Sequence, residues 1–306
     1  MLAPLLIILA TYNLLAATPR LAWDELPPLP PAPGQTTQAG VAGPFAGVHN
    51  DALLVAGGAN FPDQPPWGGG IKSWWNDIWV LIRKTGGGFE WVTDPRFKLP
   101  RRSGYGMSFS TPDGIVCVGG ADNDVCHREV FILRWNPKTK TVATQALPPL
   151  PQPLGFMGGA MIGATIYVTG GQHTITDAAF TGGLWALDLS RQGRPGFDWR
   201  VLPALPGPAR ILPVVAPQSN GANGCLYVFS GRLPRPGAPA KLLSDAYRFD
   251  PVDGRWTVLP NVRGSGRNGE DGVCVMGATA AIFDDREILV FGGDRGALFT
   301  RLEAHD

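Results

Sequence analysis

Five hydrophobic runs in this chain end on a glycine doublet, and their spacing is close to regular. They are Leu53-Leu54-Val55-Ala56-Gly57-Gly58, Ile115-Val116-Cys117-Val118-Gly119-Gly120, Ile166-Tyr167-Val168-Thr169-Gly170-Gly171, Leu226-Tyr227-Val228-Phe229-Ser230-Gly231 and Ile288-Leu289-Val290-Phe291-Gly292-Gly293; in the fourth, serine takes the first glycine's place. The second glycines stand 62, 51, 60 and 62 residues apart. Short apolar runs without alternation fit strands covered on both faces. A chain that repeats such a strand five times is an array of similar units.

The flanks repeat as well. A Pro-rich stretch leads into a small-residue strand such as Gly104-Tyr105-Gly106-Met107-Ser108-Phe109-Ser110, and a turn, Thr111-Pro112-Asp113-Gly114, precedes the apolar strand. Third strands recur at Asp77-Ile78-Trp79-Val80-Leu81, Val130-Phe131-Ile132-Leu133-Arg134-Trp135, Gly183-Leu184-Trp185-Ala186-Leu187-Asp188 and Asp245-Ala246-Tyr247-Arg248-Phe249-Asp250. Fourth strands carry a tryptophan and lead toward Leu-Pro, as in Phe197-Asp198-Trp199-Arg200-Val201-Leu202 and Gly254-Arg255-Trp256-Thr257-Val258-Leu259. Four strands per unit, at a period near 50, predict an all-β, kelch-type β-propeller. Small residues in the first strand suit the crowded axis. The recurrent tryptophans are expected between blades, as packing.

The chain has 306 residues, 44% hydrophobic, with 41 Gly, 30 Pro and a formal charge of +1. Length and composition suit one large all-β domain, residues 19–306. The near-neutral balance gives no support for a nucleic-acid partner. Residues 1–17 are uncharged and mostly Leu, Ile and Ala, with Pro4 and Asn13 interrupting. Residues 1–18 therefore read as an export signal, giving a periplasmic or secreted protein, with a mis-assigned start or loose anchor as the alternatives. No stable membrane insertion is expected. The four cysteines have no zinc-ligand spacing. Cys117, Cys225 and Cys274 read as buried thiols, and Cys117–Cys126 flank a turn that a bridge could span after export.

Residues 21–26, containing Trp23 and followed by Pro27, read as a fourth strand without its own first three. Propellers remove free edges by closing the circle, commonly with strands from both termini. After Gly293 only 13 residues follow. The pattern predicts a six-bladed plan with about five blades present and incomplete at its C-terminal end.

The segment Pro44-Phe45-Ala46-Gly47-Val48-His49-Asn50-Asp51-Ala52 through Gly58-Ala59-Asn60-Phe61-Pro62, followed by Gly70-Ile71-Lys72 and Asn76-Asp77-Ile78-Trp79, resembles the N-acetylneuraminate epimerase (sialic acid mutarotase) family, in a cyclically permuted order. Arg102-Ser103-Gly104-Tyr105-Gly106 and Gly207-Pro208-Ala209-Arg210 resemble the segments that lead into that family's blades. The resemblance covers about residues 20–303. It implies an exported six-bladed protein that interconverts the anomers of sialic acid without a cofactor. It also implies a catalytic Glu and Arg, carried by a Gly-Glu followed by Gly-x-Arg in the blade this chain lacks. Neither residue has a counterpart here, so little acceleration of anomer exchange is expected.

Loops before the first strand and after the glycine pair should share one rim at the channel mouth, the default site. An acidic sugar needs a cation for its carboxylate, and Arg offers a two-pronged fork. Arg101, Arg102 and Arg210 are the candidates, with Asn60 and His173 as further substrate contacts. Mutarotation needs a base at the anomeric hydroxyl and an acid at the ring oxygen. Glu270 is the nearest candidate base. The competing reading is a non-catalytic kelch module that binds a glycan or a protein partner on the same rim. Copper-radical oxidation, which also occurs on a kelch scaffold, would need His and Tyr ligands, and the four histidines are scattered at 49, 127, 173 and 305. No metal or cofactor is expected, and oligomeric state is left open.

Overall fold

The computed structural model describes residues 21–31, 36–38, 40–175, 179–264, 272–284 and 286–296. The first blade contains β1 (Phe45–His49) and β2 (Ala52–Ala56), a short rim pair β3 (Ala59–Asn60) and β4 (Ser73–Trp74), then β5 (Ile78–Arg83) and β6 (Phe89–Val92). The second contains β7 (Met107–Thr111), β8 (Gly114–Val118), β9 (Val130–Asn136) and β10 (Thr141–Leu147). The third contains β11 (Gly158–Ile162), β12 (Thr165–Thr169), β13 (Leu184–Asp188) and β14 (Arg200–Leu202). The fourth contains β15 (Val214–Ser219), β16 (Gly224–Phe229), a rim hairpin β17 (Arg232–Arg235) and β18 (Ala238–Leu242), then β19 (Ala246–Asp250) and β20 (Arg255–Leu259). A fifth sheet of two strands follows, β21 (Thr279–Phe283) and β22 (Glu287–Phe291).

Each of the first four sheets is an antiparallel meander, for example β1-β2-β5-β6 and β11-β12-β13-β14. The tight β1–β2 turn uses Asn50 and Asp51, both at positive φ (49° and 58°). Two successive left-handed residues match the right-handed twist of a hairpin, and Asn and Asp tolerate that conformation. All five predicted apolar strands are present. The N-terminal stretch carrying Trp23 has no assigned strand, although the Trp23 ring lies 6.0 Å from Phe291, edge to face.

The core lies between sheets, as period-two patterning on a strand covered twice requires. Along β8, Ile115 and Cys117 join a cluster with Phe45, Leu54 and Val80 of the first blade. Val116 and Val118 join Ile166, Val168, Trp185 and Trp199 of the third. A third cluster joins Tyr167, Leu184 and Ala186 to Leu226, Val228 and Phe249. The tryptophans behave as expected. Trp91, Trp199 and Trp256 Nε1 donate to the Pro27, Pro148 and Pro203 carbonyls at 3.0, 2.9 and 2.8 Å. Pro27 therefore occupies the place that ends a fourth strand in its neighbours. The four cysteines are separate buried thiols, including Cys117 and Cys126. Burial pushes the Cys126 thiol up to about 11, the neighbouring Gly155 amide opposing. No helix among the described residues is long and apolar enough to cross a membrane.

Candidate functional site

The doublets act as clasps between blades. Gly57 has φ 68°, and a Cβ there would sit 2.2 Å from the Ser103 carbonyl oxygen. The second glycine then donates its N–H to the next blade: Gly58 to Ser103, Gly120 to Leu154 and Gly171 to Arg210, each at 2.7–2.9 Å. Past the clasp, each post-glycine residue bridges to the segment before its own first strand. The pairs are Ala42–Ala59, Gly104–Ala121, Gly155–Gln172, Ile211–Arg232 and Met276–Asp294. These five bridges bring the two sets of loops to one rim, as the antiparallel order predicts.

Two positions before each first strand stands one left-handed residue: Gly43, Tyr105, Phe156, Leu212 and Gly277, with φ between 53° and 68°. Their backbones form a chain around the mouth. Tyr105 N–H donates to Gly43 C=O at 2.7 Å, Phe156 to Tyr105 at 2.8 Å, Leu212 to Phe156 at 2.8 Å and Gly277 to Leu212 at 3.0 Å. Three non-glycine side chains in αL cost about 1 kcal/mol or more each. The hydrogen-bonded chain holds them there, and Tyr105, Phe156 and Leu212 line the mouth of a channel of about 740 Å³. First-strand residues such as Met107, Ser108, Gly158, Val215 and Thr279 line the rest, with Asp294 as the one carboxylate among the described residues.

A second cleft, about 660 Å³, opens beside the mouth, and Tyr105 lines both. Asn60, Asp63, Trp67 and Lys72 line this cleft. Lys72 Nζ donates to Tyr105 Oη at 3.0 Å and stands 4.6 and 4.3 Å from the centres of the Trp74 and Tyr105 rings. Tyr105 in turn stacks on Phe156, with centroids 4.6 Å apart at 23°.

The residues singled out from sequence fall in different places. Asn60 is on the cleft, but its amide is committed: Oδ1 accepts from Trp75 Nε1 at 2.8 Å, and Nδ2 donates to Gly40 C=O at 2.7 Å. Arg210 is fully buried, and its fork grips Asp245 with two 2.8 Å bonds while Nη1 and Nε also reach the Ser230 and Pro208 carbonyls. Burial raises the Asp245 pKa, but the hydrogen bonds from Arg210 and Tyr247 prevail and hold it below the ordinary range. Arg210 is thus a clasp residue, in the structural position of Ser103 and Leu154 rather than that of Arg102.

Arg101 is exposed and binds Glu129 Oε1 at 3.0 Å and His127 Nδ1 at 3.2 Å. Arg102 is exposed, and its carbonyl lies 3.2 Å from His127 Nε2. Neither arginine lines the channel or the side cleft. The roles fit neutral His127 with the proton on Nε2. Burial lowers its pKa, Asp122 opposing and Arg101 adding to the effect. His173 holds its ring on the Pro153 carbonyl (2.8 Å) and against Trp185, away from the channel lining. Glu270 lies outside the described residues. Sequence reasoning missed Lys72 and Tyr105 as site residues, although both stand inside quoted motifs. Among the described residues no group of three metal-ligating side chains comes together.

A sequence profile of the N-acetylneuraminate epimerase family matches residues 10–142 and 147–304. The N-acetylneuraminate epimerase of Brucella melitensis is 38% identical over 130 residues, which are 39% of this chain and 32% of that protein. That of Haemophilus influenzae strain 86-028NP is 32% identical over 167 residues, 52% of this chain and 41% of that protein. The matched stretches thus span about a third to two-fifths of those relatives. The solved structure of YjhT shares the fold, with a TM-score of 0.63 at 13% identity over 83% of this chain and 77% of that one. With the profile matching nearly its whole length, the chain belongs to the N-acetylneuraminate epimerase family.

Proposed function

We propose that the channel mouth binds N-acetylneuraminate or a similar acidic sugar, and that the site serves interconversion of its anomers. The observation that carries this reading is the mouth itself, an aromatic-edged opening in a chain whose family is named for that substrate. Ring opening needs one group to take the anomeric proton and another to protonate the ring oxygen. Asp294 is the carboxylate that the described mouth offers for one of these steps. We read the protein as exported, on the apolar character of residues 1–17.

Anomer exchange of N-acetylneuraminate, followed by NMR with and without the full chain, tests the proposal. The described mouth offers one carboxylate, and the family's Gly-Glu and Gly-x-Arg segment has no counterpart in the sequence. The acceleration expected is therefore below the roughly 10²-fold that a single well-placed acid or base supplies. Faster exchange would show that the mouth's own groups suffice. Binding with no exchange at all would identify a non-catalytic glycan-binding module.

A further inference from the structure

We propose that Lys72 and Tyr105 together form the carboxylate-binding element of this site, and that the side cleft holds the acidic end of the sugar. The inference rests on the acidic-sugar reading above and assigns the cation that the arginines do not supply. Arg210 is sealed in its ion pair, and Arg101 and Arg102 face outside both cavities. Lys72 is half-buried on the cleft wall and makes no ion pair among the described residues; Asp63 lines the same cleft beyond salt-bridge distance. One of its three ammonium protons goes to Tyr105 Oη. The other two have no hydrogen-bond acceptor among the described residues.

The Tyr105 oxygen accepts from Lys72 and keeps its own O–H proton for a ligand. Two donors 3.0 Å apart, one of them charged, suit the two oxygens of a carboxylate. The pair is preorganised. The Trp74 and Tyr105 rings, packed edge to face at 5.5 Å, both attract the ammonium, Phe156 backs the Tyr105 ring, and the hydrogen-bonded αL backbone fixes Tyr105 at the mouth. Trp67, 66% exposed on the same cleft, offers an apolar face for the sugar's C–H groups. Because Tyr105 also lines the channel, a carboxylate held here leaves the sugar ring over the mouth.

The test is calorimetric binding of N-acetylneuraminate and of its methyl ester, the same sugar without the charge, to the full chain and to Lys72→Gln and Lys72→Arg. The wild-type protein should prefer the acid by about tenfold or more, the worth of one charge-assisted contact. Lys72→Gln should erase that preference, and Lys72→Arg should restore part of it, with thermal melts of both variants close to wild type. Equal affinity for acid and ester in the wild type, or an unchanged ratio in Lys72→Gln, overturns the assignment without touching the mutarotase reading. An acid preference lost in Lys72→Gln, in a protein that leaves anomer exchange unaccelerated, upholds the assignment and removes only the catalytic reading. Absence of binding to either ligand overturns both.

Discussion

Arg210 and Lys72 show how two cations near one rim divide the work. Arg210 has its charge neutralised and all its contacts made within the protein. Lys72 has aromatic walls and unspent donors. Replacing Arg210 with Met keeps bulk but strands the Asp245 carboxylate, which retains the Tyr247 hydroxyl at 2.7 Å. Removing one partner of a buried pair costs about 3 kcal/mol at the lower end of the usual range, and Asp245, a quarter exposed, belongs at that end. Urea unfolding of Arg210→Met should show that loss at pH 7, while affinity for the acidic sugar stays at the wild-type value. The gap should narrow in acid. A carboxylate held low in the folded state stabilises above its unfolded pKa, near 4, and that contribution is lost as pH falls through the lower folded value. An unmoved unfolding midpoint together with weakened sugar binding would return Arg210 to the site.

At the scale of the element, the doublet is where sequence and structure agree most closely. At Gly119, φ is 59°, and an added Cβ would lie 2.4 Å from the Leu154 carbonyl and 2.9 Å from Met157 Cε. Gly163 has nearly the same φ, 57°, with nothing within 4 Å. Gly163→Ala should therefore cost about 1 kcal/mol, the strain alone. Gly119→Ala adds a backbone clash at the blade interface and should cost about 3 kcal/mol or more by denaturant unfolding. Equal costs would mean that the clasp can open without loss. Ser230 shows how the motif tolerates an exception. It adopts φ 61° while its Oγ accepts the Val275 N–H at 2.7 Å, and this hydrogen bond offsets the strain.

The apolar strands were legible because burial on both faces leaves an unbroken hydrophobic run. The inter-blade tryptophans were legible from their Leu-Pro neighbours. The rim was legible only as topology. Arg102 and Arg210 looked alike in sequence, but hydrogen bonding puts Arg210 where Ser103 sits, one position inward, and so under the clasp. Lys72 could not be found by counting charges, since its role depends on rings from two different blades.

For the whole molecule, the blades are joined at two levels, by apolar clusters between sheets and by the backbone chain at the mouth. The clusters join the first to the second blade, the second to the third and the third to the fourth. Between the fourth and fifth sheets the junction is more polar, with Gln218 Nε2 donating to the Glu287 carbonyl at 2.8 Å. Ile282 and Val290 stay exposed on the two-stranded fifth sheet. Opening should therefore be easiest at that end. Tyr105, Phe156 and Leu212 amides, each bonded across a junction between four-stranded blades, should exchange hydrogen slowly, near the rate set by global unfolding. The Gly277 amide makes the same bond to Leu212 but belongs to the fifth sheet, and it should exchange faster. Gly43 heads the chain, and its N–H has no backbone acceptor among the described residues, so it should exchange fastest of the five. Residue-resolved hydrogen exchange reads all five amides in one experiment. Protection at Gly43 equal to that at Tyr105 would contradict this order and mean that an acceptor beyond the described residues closes the hydrogen-bonded circle at the mouth.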